Sequence, residues 1–269
     1  LLGGRGKLQA PPVKIYALEK GLPVYQFADI REPEAMDVLR ALSPDLMVTA
    51  SFGQILSQEN LDLPPMGCIN VHASLLPKYR GASPIQSAVI AGERVTGVTT
   101  MYTVLALDAG NMLLQKKLDI GPEETAGELT PRLAALGAST LQETLEGLER
   151  GDIIARPQDE GQVTKTRMLK KKDGVICWDW PAQRIHDLIR GCNPWPVAHS
   201  FLRLDTGESL LCKNWRSRLL GAEEVSGLAG DRSAGARAHP EGDGRVYLWP
   251  GGGAVEVLSD IAVGRVRRG

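Results

Sequence analysis

Between residues 11 and 150, apolar runs of strand length alternate with segments whose apolar residues repeat at helical spacing, which restricts this part of the chain to an α/β fold. Pro11-Pro12 open a helical stretch that Gly21 closes, Pro near the start and Gly past the end. Leu22–Phe27 reads as a strand, Glu34–Leu42 as a helix and the mostly apolar Asp45–Ser51 as a buried strand. Gly67–His72 is the next strand, Pro84–Ala91 a helix, and Gly97–Val104 and Met112–Ile120 are extended. Thr125 can cap a helical region that runs, with a break at Gly137, to Arg150. Strands separated by helices predict βαβ units and a largely parallel sheet.

The pattern changes after residue 150. Asp152 to Gln162 has Pro157, Gly161 and mixed charges without periodicity, and the cluster Lys165, Arg167, Lys170, Lys171 and Lys172 follows. This divides the chain into an α/β unit over residues 1–160, a basic linker over 161–172 and a second unit over 173–269. In the second unit, Pro181–Arg190 has helical spacing and is stopped by Asn193-Pro194-Trp195-Pro196. Trp195 is expected to plug the space between the units, with Trp178 and Trp180 in core packing. Short extended runs broken by Gly-rich turns then predict a small β-barrel. Charge follows the same division. Residues 1–160 carry 14 Lys+Arg against 20 Asp+Glu, net −6, and residues 161–269 carry 17 against 12, net +5, so the overall −1 hides a basic second part.

Several classes are disfavoured. The chain has no run of about 18 apolar residues, so no membrane span is expected. The first residues lack the apolar stretch of a secretory signal. Cys68, Cys177, Cys192 and Cys212 form no C-x-x-C pair, which points to a reducing, cytoplasmic setting. His72, His186, His199 and His239 fall in no metal-binding motif, so chemistry without a protein-bound metal is expected.

Asn70-Val71-His72 stands at the C-terminal end of an apolar strand, where open α/β sheets bind their substrates. Alternation along the strand turns Asn70 and His72 to one side. An amide that donates to an oxygen gaining negative charge, beside an imidazole that moves a proton, suits acyl-type transfer. Asp108, in the turn Leu107-Asp108-Ala109-Gly110, can orient and charge the histidine or hold an amine. Taken singly, Asn-x-His also reads as satisfied structural polarity, and an Asp before Ala-Gly as a turn residue.

The run Gly67-Cys68-Ile69-Asn70-Val71-His72-Ala73-Ser74-Leu75-Leu76-Pro77-Lys78-Tyr79-Arg80-Gly81-Ala82-Ser83-Pro84-Ile85-Gln86 closely resembles the core signature of the methionyl-tRNA formyltransferase family. Gly97-Val98-Thr99-Thr100-Met101 and Leu107-Asp108 follow as in that family, and a weaker resemblance extends from Gly4 to about Leu258. The resemblance implies a Rossmann-like parallel-sheet formyltransferase domain plus a small C-terminal OB-like β-barrel. It implies 10-formyltetrahydrofolate as formyl donor, without a metal, and the α-amino group of methionyl initiator tRNA as acceptor. Asn70, His72 and Asp108 match the catalytic positions, and Ser74, Leu75, Leu76 and Pro77 the folate-contacting loop.

Gly4-Arg5-Gly6-Lys7 resembles the basic loop with which the family reaches the acceptor end of the tRNA, which implies contacts from Arg5 and Lys7. Alone it reads as a solvated terminus. Lys165, Arg167, Lys170, Lys171 and Lys172 would meet phosphates in a salt-sensitive way, although a charge run alone is usually a solvated face. The sequence departs from the family in lacking the first strand, loop and helix before Gly4, which suggests a truncated sequence. Ala106 and Asn111 also replace a glycine and an aspartate that flank the family's Leu-Asp pair. The expected protein is a monomeric cytoplasmic formyltransferase. The competing readings are a folate-dependent formyltransferase or hydrolase acting on a small-molecule amine or water, and a non-catalytic tRNA-binding remnant.

Overall fold

The computed structural model describes residues 10–203, 208–221, 223–224, 239–240, 246–248, 254–259 and 262–265. The first part holds helices α1 (Pro12–Glu19), α2 (Pro33–Leu42), α3 (Gln58–Asp62), α4 (Pro84–Ile90) and α5 (Ala126–Arg150). Its strands are β1 (Met47–Thr49), β2 (Cys68–His72), β3 (Arg80–Gly81), β4 (Val95–Tyr102), β5 (Met112–Asp119) and β6 (Lys165–Thr166). The second part holds α6 (Ala182–Gly191), β7 (Ala198–Arg203), β8 (Ser209–Asn214), β9 (Arg216–Leu219), β10 (His239–Pro240), β11 (Val246–Leu248), β12 (Val255–Ser259) and β13 (Ala262–Arg265).

The main sheet has the order β1-β2-β4-β5 and is mixed, not largely parallel. β1 runs parallel to β2, whereas β2–β4 and β4–β5 are antiparallel. Alternation of helix and strand in a sequence does not fix strand direction, and here α4 returns the chain antiparallel to β2. Two other expectations give way. Leu22–Phe27 is not a strand and has no ladder partner among the described residues, with Leu22 and Tyr25 more than half exposed. The run Asp45–Ser51 shortens to β1, which has one ladder neighbour among the described residues, and Val48 is exposed.

Helix α5 closes the core of the first part. Thr125 caps it through a capping box, its hydroxyl accepting from the Glu128 amide while the Glu128 carboxylate accepts from the Thr125 amide. The helix continues through Gly137 without the expected break. Gly137 is a packing position: a Cβ there would stand 3.2 Å from Val71 Cγ1, so its absence lets the helix lie close on β2. Leu129 and Leu133 of α5, Ala88 and Val89 of α4, Val98 of β4 and Ile120 form the core, with Val71 and Tyr79 against it.

A second core gathers Ile176, Ile185, Leu188, Ile189, Cys192 and Ala198, with Trp178 and Trp180 packed against it, as expected of those tryptophans. Ile90 of α4 joins it, so α6 sits on the first part. Asn193 makes the junction: its carbonyl accepts from the Gly127 amide at 2.9 Å and its side chain donates to the Trp215 carbonyl at 2.7 Å. Trp195 does not plug the junction, because it stands about half exposed between two cis-prolyl bonds. Beyond it, β7, β8 and β13 form one antiparallel sheet and β9, β12, β11 and β10 another. Among the described residues no ladder joins the two into the expected closed barrel.

The chain after α5, including the start of the 161–172 segment read as linker, is laced to the first part. Arg156 and Met112 exchange backbone hydrogen bonds at 2.8 Å, the Arg80 amide donates to the Thr164 carbonyl at 2.9 Å, and β6 pairs in parallel with β3. No described helix is long and apolar enough to cross a membrane.

Candidate active site

Strand β2 delivers Asn70 and His72, two residues apart, to one side of its C-terminal end. The turn between β4 and β5 brings Asp108 to them. Asn70 Nδ2 donates to Asp108 Oδ1 at 3.5 Å, and His72 Nδ1 stands 3.7 Å from Asp108 Oδ2. The structure therefore brings together three residues that span 38 positions of sequence. His72 and Asp108 are largely buried, with side-chain exposures of 6% and 12%, so charge between them is weakly screened.

Each side chain is oriented by a second contact. Thr49 lies directly opposite Asn70 in the parallel ladder, and its hydroxyl donates to Asn70 Oδ1 at 3.1 Å. That contact turns the Asn70 NH2 toward Asp108 and leaves it a proton to offer a substrate oxygen. His72 Nε2 lies 2.9 Å from the Tyr79 carbonyl. A carbonyl only accepts, so Nε2 carries the proton in the neutral ring, and the Nδ1 lone pair faces the Asp108 side. The Nδ1–Oδ2 separation is too long for a direct hydrogen bond.

Tyr79 has a positive φ of 62°, which aims its carbonyl at His72. Its amide donates to Thr164 Oγ1 at 2.7 Å and its hydroxyl to Glu93 at 2.8 Å. Burial and the Glu93 carboxylate push the Tyr79 phenol up, so it remains a protonated donor. Asp108, in left-handed backbone at φ 50°, receives the Gly81 amide on Oδ2 at 2.8 Å.

The loop matched to folate contact divides in two. Ser74 is fully buried and donates to the Lys78 carbonyl at 2.6 Å; Leu76 is buried, its amide donating to Thr99 Oγ1 at 3.2 Å and its carbonyl accepting from Gln115 at 2.8 Å. Both shape the loop, whereas Leu75 and Pro77 are partly exposed. The Leu76–Pro77 bond is cis.

Of the basic residues, Lys165, Lys170, Lys171 and Lys172 are exposed. Arg167 is exposed too, but it makes two contacts to Asp173, at 2.7 and 2.5 Å, and its charge is already matched. Arg5 and Lys7 lie outside the described residues. A cavity of about 170 Å³ opens elsewhere, at the junction of the two parts, lined by Arg190, Arg216 and Arg218. These arginines pair with Asp187, with Glu128, and with Glu224 and Glu256, respectively.

Thr49, the Tyr79 carbonyl and the Gly81 amide were not found from sequence. Thr49 carried a usable signal, since it ends the strand preceding β2. The other two are backbone groups that no side-chain pattern reports.

Two family descriptions match the chain, "Formyl transferase" over residues 2–145 and "Formyl transferase, C-terminal domain" over residues 168–259. Methionyl-tRNA formyltransferase of Ruminiclostridium cellulolyticum is 50% identical over 200 residues, covering 74% of this chain and 64% of that protein. The enzymes of the same name from Acetivibrio thermocellus and Solibacter usitatus are 48% and 46% identical, covering 82% and 98% of this chain and 70% and 81% of theirs. The match to the Ruminiclostridium cellulolyticum protein thus spans less than two thirds of that relative's length. Among solved structures, an N-formyltransferase from Helicobacter canadensis in complex with folinic acid and dTDP-3-aminofucose superposes with a TM-score of 0.64. It is 16% identical, with 90% of this chain and 81% of that one covered, so it supports the fold alone.

Proposed function

The chain belongs to the methionyl-tRNA formyltransferase family, and from that membership we propose that it transfers the formyl group of 10-formyltetrahydrofolate to the α-amino group of methionyl initiator tRNA. The observation that carries the reading is the convergence of Asn70, His72 and Asp108 at the end of β2.

The residues fit such a donor by the chemistry they offer: a fixed amide N–H, an imidazole lone pair and a carboxylate in one weakly screened pocket. The donor supplies an electrophilic formyl carbon. Asn70 Nδ2 donates to the formyl oxygen as it gains negative charge when the amine adds. His72 Nδ1 takes the proton that the amine must lose, and Asp108 stabilises the resulting imidazolium. That proton then passes to the folate nitrogen as its bond to the formyl carbon breaks, so no covalent enzyme intermediate is needed. Leu75 and Pro77 are assigned to the face of the folate, with Ser74 and Leu76 holding the loop.

Residues 1–160 form the catalytic unit in this reading and 173–269 the tRNA-binding unit. Lys165, Lys170, Lys171 and Lys172 meet tRNA phosphates, and Arg5 and Lys7 reach the acceptor end. One chain carries all three reacting-centre residues, so a monomer suffices, and the free cysteines suit a reducing cytoplasm.

The test is formyl transfer from 10-formyltetrahydrofolate to charged initiator tRNA, with free amino sugars as competing acceptors. Transfer to the tRNA is expected, and its loss in His72→Ala and Asp108→Ala while both remain folded. Preference for the amino sugar, or near-normal turnover in either variant, overturns the reading.

A further inference from the structure

Asp108 stands in a left-handed conformation that costs a non-glycine residue about 1 kcal/mol or more. Something must hold it there, and the Gly81 amide grips only the carboxylate end. The backbone end is held by Gln158, from the stretch of chain that follows α5. Gln158 is nine-tenths buried, and its Nε2 donates to the Asp108 carbonyl at 2.8 Å and to the Gly110 carbonyl at 2.9 Å. Both amide protons are therefore spent on the two ends of the Asp108-Ala109-Gly110 turn.

The orientation of that amide is fixed by Arg80. Arg80 Nε donates to Gln158 Oε1 at 2.9 Å, and an arginine can only donate, so the oxygen of Gln158 faces Arg80 and the nitrogen faces the turn. Arg80 is itself buried and paired to Glu160 at 2.7 Å. The next residue is Gly81, which closes the circuit: Asp108 carbonyl, Gln158, Arg80, Gly81 amide, Asp108 carboxylate. Two residues before Gln158, the reciprocal Arg156–Met112 hydrogen bonds anchor its backbone to β5.

We propose that Gln158 is a positioning residue for formyl transfer, fixing the turn that presents Asp108 to His72 and Asn70. The proposal rests on the catalytic reading given above. Gln158 touches no reacting atom; it acts through Asp108.

Two variants test it. Gln158→Met removes both donors and the acceptor. Gln158→Glu keeps an acceptor for Arg80 but cannot donate to the two carbonyls when ionised. Both are expected to lower kcat about 10- to 100-fold with KM for tRNA and for the folate donor within about twofold of the parent. Both should also speed hydrogen exchange at the Gly81 amide at least tenfold, because that amide loses its carboxylate partner when Asp108 shifts. A merely structural role would lower the melting temperature but leave kcat per folded molecule unchanged. The proposal is overturned by kcat within twofold of the parent in a folded variant, or by a fall in kcat with Gly81 exchange unchanged. Should Gln158→Met not fold, Gln158→Glu decides by the same two readouts. If the parent protein transfers no formyl group, the catalytic reading fails on its own, and Gly81 exchange still decides whether Gln158 holds the turn.

Discussion

The backbone amide of Gly81 donates to the Asp108 carboxylate at 2.8 Å, so the acid that faces His72 and Asn70 is held by a residue that has no side chain. Gly81 has a φ of 114°, and a Cβ there would overlap the carbonyl oxygen of Thr166 on the paired strand β6. The residue is thus fixed twice, by backbone conformation and by the close approach of β6.

Gly81→Ala should therefore disturb both stability and the site. The methyl forces β3 and β6 apart, and a destabilisation of about 2–3 kcal/mol is expected, the range for strain at a special backbone position combined with overpacking. Because the displaced amide releases Asp108, kcat should fall more than tenfold in molecules that remain folded. Denaturant midpoint and steady-state turnover, measured on one preparation, check both. Parent-like values for either would contradict the geometry.

Thr49 donates to Asn70 Oδ1, and in the proposed mechanism this contact turns the Asn70 amide N–H toward the developing oxyanion. Asn70→Ala should lower kcat by about 10²- to 10³-fold, as removal of one preorganised donor does elsewhere. Thr49→Val keeps shape but frees the amide to rotate, and a fall of about 3- to 10-fold is expected, equivalent to roughly one hydrogen bond's net contribution. KM should change little in both. A Thr49→Val enzyme as active as its parent would mean that another group orients Asn70.

That Asn70 and His72 share one side of a strand end was legible because strand alternation is local. Helices α2, α4, α5 and α6 were legible for the same reason, through spacing and end residues such as Thr125. Strand direction was not, since whether β4 runs with or against β2 depends on contacts distant in sequence. Leu22–Phe27 had the composition of a strand but has no ladder partner among the described residues. Gly137 looked like a break because a glycine lowers helix propensity, whereas packing on Val71 uses the space it leaves. Gln158 was hidden in an aperiodic charged stretch, and nothing in its neighbours signals that its amide spans a turn 50 residues earlier.

The lysines around β6 predict a salt-dependent footprint. Replacing Lys165, Lys170, Lys171 and Lys172 together by Ala should weaken tRNA binding and lower the slope of log K against log salt, by roughly 0.7–0.9 for each phosphate that a lysine no longer neutralises. Arg167→Ala should not act in this way, because its guanidinium serves Asp173. Filter binding across a salt series separates the two. An unchanged slope in the fourfold variant would remove these lysines from the interface.

The Arg167–Asp173 pair also predicts a pH dependence of stability. The Arg167 guanidinium, with the Lys170 amide, lowers the Asp173 carboxyl to about 2. A folded-state value below the unfolded one, about 3.9 for Asp, means that the pair stabilises the fold fully above that pH, and the contribution disappears as pH falls toward 2. Arg167 is 61% exposed, so solvent screening keeps the contribution small. Asp173→Asn should thus lower the unfolding free energy slightly at pH 7, and by about half as much near pH 3. Urea titrations of parent and variant at the two pH values measure the difference. A gap that stayed constant with pH would show that Asp173 stabilises the chain through hydrogen bonding alone, without its charge.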